Sequence, residues 1–132
     1  MSVESVIYLN DGRLPTIANW QAVLDARDVG MLVEDVGDLR THSGFLPVTY
    51  KGTLSGFEWY YGAIAKPVDG VDRTHMAVFV THSNILELYC ALVTGAVLAQ
   101  MSDAYVLDDE NELITVPDAW LRTADEVKKY LK

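Results

Sequence analysis

The feature that most constrains the fold is a run of 17 residues, Ile85 to Met101, that is almost wholly apolar. Its polar members are Glu87, Thr94 and Gln100, and no Lys or Arg lies close to either end. A membrane-spanning helix needs about 20 apolar residues, and basic or aromatic anchors usually flank it. The run therefore predicts a buried helix of a globular domain.

The flanks and the interior of this helix add detail. Ser83 or Asn84 is the expected N-cap, and Asn84 with Glu87 resembles a capping box. Gly95 costs about 1 kcal/mol relative to alanine inside a helix, which indicates that another element packs closely against it. Cys90 lies among apolar residues, so its thiol should be buried, with a raised pKa, and inert.

Length and composition indicate a single domain spanning residues 1–132, with half of its residues apolar or aromatic. One cysteine cannot form an internal disulfide. Residues 1–5 lack the basic start and apolar run of a secretory signal. We therefore expect a cytoplasmic protein.

A strand with a buried and an outward side is predicted around the aromatic residues Phe57, Trp59 and Tyr61, which alternate with Glu58 and Tyr60. The three alternating aromatics should face the core. Tyr60 should then face outward beside Glu58, and an exposed tyrosine next to a carboxylate is typical of protein interfaces.

The remaining pattern alternates strands with helices. Strands are predicted over 3–9, 31–36, 45–50, 53–65, 74–81, 103–107 and 113–116, and helices over 16–30, 85–101 and from 117 onward. This order predicts an α+β fold of two layers, a largely antiparallel sheet with helices packed on one face. The nearest simple architecture is an elaborated ferredoxin-like βαβ arrangement.

Three local patterns carry further expectations. Pro47 indicates an edge position or a bulge. Apolar residues on both faces of the strand over 74–81 indicate a central, doubly covered strand. Thr123 to Glu126 fits a capping box, and Thr16 is the expected N-cap of the first helix.

Charge is strongly negative, at −9, with a sequence pI near 4.5, which disfavours binding to a nucleic-acid backbone. No Lys or Arg occurs between Arg73 and Arg122. The acids in that span are Glu87, Asp103, Asp108, Asp109, Glu110, Glu112 and Asp118. They are either solubilising surface or a docking face for a basic partner.

No pattern predicts catalysis, a metal or a cofactor. His75 and His82 are an odd number of residues apart on one strand and should point to opposite faces. His42, in a polar loop, is the best candidate for a functional histidine. The segment from Asp108 to Glu112 lacks the pattern of a calcium loop, and no nucleophile or phosphate-loop motif occurs.

Three segments resemble the small acidic immunity proteins that bacteria encode beside secreted or contact-delivered toxins. They are Ser55-Gly56-Phe57-Glu58-Trp59, His82-Ser83-Asn84 leading into the helix Ala91 to Gln100, and Ser102 to Asp108. The resemblance covers about half of the chain and implies a non-enzymatic protein that occludes the active site of a toxin. Acidic members of this class suit basic nucleases.

We therefore expect a domain that binds a cognate, basic protein. The predicted partner-binding residues are Glu58, Tyr60, Asp108, Asp109, Glu110 and Glu112. One alternative is a small-molecule-binding or small enzymatic domain with a pocket between helix and sheet, lined by the aromatic strand and His42. Another is self-association through the strands between Phe45 and Ala65.

Overall fold

The computed structural model describes residues 2–108 and 113–131 and confirms an α+β fold. The strands are β1 (Ser2–Leu9), β2 (Met31–Val33), β3 (Gly44–Tyr50), β4 (Thr53–Ala63), β5 (His75–His82), β6 (Tyr105–Asp108) and β7 (Leu113–Thr115). The helices are α1 (Ile17–Ala26), α2 (Ile85–Met101) and α3 (Asp118–Lys128), and a short 3-10 turn covers Asp11–Arg13.

The strands form one sheet in the order β2-β3-β4-β5-β1-β6-β7, and every neighbouring pair is antiparallel. The first strand of the chain, β1, lies between β5 and β6. Because β5 and β6 are both antiparallel to β1, they run parallel to each other and are connected through α2. This split βαβ unit is the central feature of the ferredoxin-like arrangement that the sequence predicted.

The core lies between the sheet and the three helices. Trp20 of α1 contacts Trp59 of β4, with ring centroids 6.2 Å apart. Trp120 of α3 meets Phe79 of β5 edge to face at 5.7 Å. Helix α2 lies between them and is buried continuously from Tyr89 to Ala99, which confirms the prediction of a buried helix. Within the described residues, no helix has the length and apolarity that crossing a bilayer requires.

Two details of the helices match their sequence signals. Thr16 caps α1, since its hydroxyl accepts a hydrogen bond from the Asn19 amide at 3.1 Å. A Cβ at Gly95 would lie 2.5 Å from the Trp120 ring, so the close approach predicted there is confirmed. Asn84 accepts from the Glu87 amide as a cap should, but the Glu87 carboxylate returns to the amide of His82.

The capping box predicted at Thr123 is wrong. Helix α3 begins at Asp118, after Pro117, so Thr123 lies inside it. Its hydroxyl donates to the Ala119 carbonyl one turn earlier, at 3.1 Å. Threonine side chains inside helices commonly make this local bond.

Pro47 lies at an edge position of β3, because β2 ends at Val33, which pairs with Val48. The pairing of β3 with β4 is unbroken, so Pro47 is not in a bulge. Its carbonyl accepts from the Glu34 amide, which lies one residue beyond the end of β2. A strand residue directs its N–H and C=O to the same neighbour. The missing N–H therefore faces the place where β2 has ended and removes no bond to β4.

The outer edge of β2 is occupied by a side chain. Gln21 of α1 donates to the Met31 carbonyl at 2.9 Å and accepts from the Val33 amide at 2.7 Å. These are the two groups that an added strand would use. The Gln21 amide therefore closes this edge against strand pairing.

The prediction that β5 is covered on both faces needs correction. Its central position is confirmed, and Ala77 and Phe79 are buried against the helices. On the other side Val80 is buried, but Met76 and Val78 are only partly so, because the three helices all pack on the first face. Among residues 2–108 and 113–131, no helix forms a second layer over the other face of the sheet.

Candidate functional site

The open face is the side of the sheet turned away from the helices. The strand registers and the alternation of side chains along each strand show which residues point to this face. They include Glu4, Val6, Tyr8, Leu32, Phe45, Leu54, Glu58, Tyr60, Met76, Val78, Val80, His82 and Tyr105. Exposure is concentrated in its β2–β4 half, where Leu54 is 74%, Leu32 59% and Phe45 52% exposed. Clustered apolar side chains of this kind mark protein-binding surfaces.

The Phe45 ring approaches β4 closely because the residue it meets there is a glycine. Gly56, diagonally across from it on β4, has φ +143°, and a Cβ there would meet the Phe45 ring and the Leu46 carbonyl. Without that Cβ the ring approaches the strand directly. The position therefore requires glycine, and Phe45 is held in a defined orientation on the open face.

The open face carries carboxylates and almost no cationic groups. None of the seven strands contains a Lys or Arg. Glu58 and Glu4 both pair in register with Val80, so they stand on either side of it. Arg73 reaches the rim, where it lies 4.4 Å from the centre of the Tyr105 ring and pairs with Asp103 at 3.6 Å.

Glu58 is the centre of a polar cluster on this face. The Tyr60 hydroxyl donates to one oxygen of its carboxylate, and the Nε2 of His82 pairs with the other. These two contacts hold the pKa of Glu58 below its usual value, and the Tyr60 bond has the larger effect. The same carboxylate raises the pKa of Tyr60. At neutral pH the cluster therefore presents an ionised carboxylate beside a protonated phenol.

The structure brings two of the predicted partner-binding residues together. Glu58 and Tyr60 face outward side by side, whereas Phe57 and Trp59 are buried, which confirms the predicted alternation. The sequence did not predict that His82 joins them. The odd spacing does place His82 and His75 on opposite faces as expected. The register that brings His82 of β5 to Glu58 of β4 does not follow from the pattern of either strand.

Asp108 lies elsewhere. Two strands, β5 and β1, separate β4 from β6, and the alternation along β6 directs Asp108 toward the helix side. There it borders a depression of about 180 Å³ together with Trp120 and Thr123. Asp109, Glu110 and Glu112 fall outside the described residues. Their role in binding, like that of Asp108, stays a prediction.

The other acids of the base-free span occupy separate places. Glu87 is in the first turn of α2 and accepts from the His82 amide. Asp103 follows the end of α2 and pairs with Arg73. Asp118 opens α3 and accepts from the Gln100 side chain at 3.4 Å.

A second polar cluster, which the sequence did not indicate, closes one end of the sheet. Asp11 accepts hydrogen bonds from the Tyr61 hydroxyl at 2.6 Å and from Arg40 at 3.0 Å. The Tyr61 ring stacks between those of Trp59 and His75. The Tyr61 bond, followed by the Arg40 charge, lowers the pKa of Asp11. Burial and Asp11 raise the pKa of Tyr61.

This second cluster connects parts of the chain rather than exposing a reactive group. Arg40 also donates to the Asp11 carbonyl at 2.6 Å, and the Leu39 carbonyl beside it accepts from the Trp59 indole at 3.0 Å. The arrangement fastens the 3-10 turn and the loop before β3 onto the ends of β4 and β5. Asp11 was recognisable in sequence only as a turn residue.

The histidines, Cys90 and most of the acidic residues lie within the described residues. No three His, Cys, Asp or Glu side chains there are placed to hold a metal ion. Burial raises the pKa of Cys90 to about 12, as its apolar surroundings predicted. His42, the favoured histidine, bonds through Nε2 to the carbonyl of Phe45, near the start of β3, at 2.8 Å.

The depressions between helices and sheet are small. One of about 230 Å³ lies between α2, α3 and the β3–β4 turn, lined in part by Tyr89, Lys51 and Lys128. A neighbouring one of about 280 Å³ is bordered by Leu24 and Gly30. Pockets for small-molecule ligands usually measure about 300–1,000 Å³.

No family model, curated protein or solved structure matches this chain.

Proposed function

We propose that this protein is a non-enzymatic binding domain that neutralises a cognate, basic bacterial toxin by covering its active site. In this proposal the partner docks on the open face, with its centre in the β2–β4 half. One observation carries the proposal: exposed apolar side chains and carboxylates share that face, and the strands that build it contain no Lys or Arg.

Two kinds of exposed side chain on this face support a protein partner. Leu32, Phe45 and Leu54 supply apolar area that a partner would remove from water. Tyr60, which is 38% exposed, adds an aromatic anchor with a polar end. Apolar anchors inside a polar rim are the usual composition of protein interfaces.

The charge supports a basic partner in particular. A net charge of −9 attracts cationic proteins and repels a second copy of this chain. It also opposes a nucleic-acid backbone. Strand addition at β2 is disfavoured because Gln21 occupies that edge, so the face is the more accessible surface.

The test is co-expression with the product of the adjacent gene, followed by co-purification and measurement of growth rescue. Leu54→Arg places a positive charge in the centre of the proposed interface, where like charges cost several kcal/mol. We expect it to weaken binding by about tenfold or more and to reduce rescue. Tyr130→Arg is the matched control, since Tyr130 is 73% exposed but lies beyond α3.

Equal losses in the two variants, or wild-type binding by Leu54→Arg, would contradict docking on the open face. No binding to any neighbouring gene product would contradict the proposed function itself. If light scattering shows that the wild-type protein is a dimer and that Leu54→Arg is a monomer, self-association would be favoured instead. Stabilisation by a metabolite in a thermal-shift screen would favour the small-molecule alternative, which the depressions support only weakly because of their size.

A further inference from the structure

The surroundings of Glu58 differ from those of the other acids on the surface. Phe45 pairs with it directly across β3 and β4, and Tyr60 follows it by two residues on the same side. Val80 pairs with it on β5 and is buried. The Glu58 side chain is 29% exposed. Glu58 is therefore a partly shielded carboxylate whose neighbours on the open face are two aromatic residues, Phe45 and Tyr60, and the buried Val80.

We propose that Glu58, with Phe45 and Tyr60 beside it, forms a receptor for an arginine side chain of the partner protein. This inference rests on the proposed function, because it names the chemical group that the open face recognises. The carboxylate would accept hydrogen bonds from the guanidinium group, and the two rings would cover its flat faces.

Arginine fits this place better than lysine. A guanidinium is planar, weakly hydrated and stacks on aromatic rings, whereas an ammonium group is compact and holds its water. The exposed rings of Phe45 and Tyr60 therefore favour the guanidinium. Partial shielding also strengthens the attraction, since charges interact more strongly away from bulk water.

The carboxylate is already held in position. Tyr60 and His82 each contact one of its oxygens, and an oxygen of a carboxylate has two acceptor sites, so each can accept one more bond. Glu4 lies on the far side of Val80 and adds negative charge nearby. None of the seven strands contains a Lys or Arg that would compete for Glu58, and His82 is the imidazole in contact with it.

The experiment uses the intact protein and needs no partner. The blocked tripeptide acetyl-Gly-Arg-Gly-amide is titrated at pH 8 while NMR signals of Phe45, Tyr60 and Val80 are followed. We expect saturable shifts confined to these residues, and weaker shifts with the lysine peptide. The uncharged citrulline peptide, which keeps the shape of arginine, should bind about tenfold more weakly or not at all.

Two variants make the test specific. Glu58→Gln keeps the size of the side chain and should weaken arginine-peptide binding about tenfold. Glu126→Gln, on α3, removes a carboxylate paired with Lys129 and should leave binding unchanged. Phe45→Leu should reduce the preference for arginine over lysine. The amide spectra of all three variants report directly whether the fold is retained.

Equal binding of the arginine and citrulline peptides, no effect of Glu58→Gln, or no saturable shift at these residues would overturn the receptor. The proposed function fails independently of this. A folded protein that binds the arginine peptide but no neighbouring gene product keeps the receptor and loses the function. A partner that binds Glu58→Gln as well as wild type keeps the function and loses the receptor.

Discussion

At the scale of single residues, the ionised state of a side chain is favoured most clearly where its hydrogen-bond partners come from distant parts of the chain. Asp11 is the clearest case. Tyr61 and Arg40, 50 and 29 residues away, both donate to its carboxylate. The ionised form is therefore favoured in the folded protein, and its pKa lies below the ordinary value.

This gives a prediction for the pH dependence of stability. A carboxyl group whose pKa is lowered by folding stabilises the protein above its unfolded pKa, near 4 for aspartate. That contribution disappears as the pH falls through the lower folded pKa. We expect Asp11→Asn to unfold at a lower temperature than wild type at pH 7, and the difference to shrink below about pH 4.

Thermal unfolding of both proteins between pH 7 and pH 3, followed by circular dichroism, measures this difference. Asp25→Asn is a suitable control, because Asp25 is an exposed acid whose carboxylate accepts a hydrogen bond from Gln21 of its own helix. A difference for Asp11→Asn that stays constant over the whole range would contradict the prediction.

At the scale of elements, α2 is held in place by several contacts that lie close together along the helix. Its Gly95 lies against Trp120 of α3 and Phe79 of β5. The Thr94 carbonyl, one residue earlier, accepts from the Trp20 indole of α1 at 3.0 Å. One short section of α2 therefore contacts both other helices and the sheet.

Gly95→Ala should destabilise the protein although alanine is the better helix former. The intrinsic gain is about 1 kcal/mol, but the added Cβ would lie 2.5 Å from the Trp120 ring. Overpacking of this kind costs about 1–3 kcal/mol. Since Trp120 is buried and its indole donates to the Leu107 carbonyl, it has little room to move. We therefore expect a net loss of about 1 kcal/mol in urea unfolding.

Gly12→Ala is the matched control, because a Cβ at Gly12 meets no atom within 4 Å. It should be neutral or stabilise the protein by up to about 1 kcal/mol. If the unfolding midpoint rises in both variants, Trp120 of α3 moves away from the added Cβ at little cost, which would contradict the packing described above.

At the scale of the whole molecule, the two faces of the sheet have different roles. The helices cover one face and form the core there, while the other face keeps exposed apolar groups and carboxylates. The net charge of −9 acts over this entire surface. Long-range attraction of this kind speeds the encounter with a cationic protein and is screened by salt.

The proposed partner should therefore associate more slowly as the salt concentration rises. Surface plasmon resonance at several ionic strengths separates the two rate constants. We expect the association rate to fall about tenfold or more between low and physiological salt, with a much smaller change in the dissociation rate. An association rate that is independent of salt would contradict a charge-driven encounter.

Much of the local structure was predictable because its signals lie within one element. The apolar run from Ile85 to Met101 predicted the buried α2, and Thr16 predicted the start of α1. Alternation predicted that Glu58 and Tyr60 share a face. The capping box predicted at Thr123 was wrong because α3 begins earlier, at Asp118, than that pattern implied.

The candidate site could be predicted only in part for the same reason. The outward direction of Tyr60 follows from period two, but the meeting of Glu58 with His82 requires that β4 and β5 be neighbours in a particular register. The Asp11 cluster joins residues that no periodic pattern connects. The separation of Asp108 from Glu58 follows from the insertion of β1 between β5 and β6.

The amino-acid sequence alone fixes the type of each main element, the direction of side chains along each strand and the excess of negative charge. The first two depend on residues a few positions apart, and the third depends on composition. Tertiary structure decided which strands are neighbours, which face the helices cover and which polar groups meet. Those outcomes depend on contacts between residues far apart in the chain, where the packing of large side chains such as Trp20, Trp59 and Trp120 outweighs any local preference.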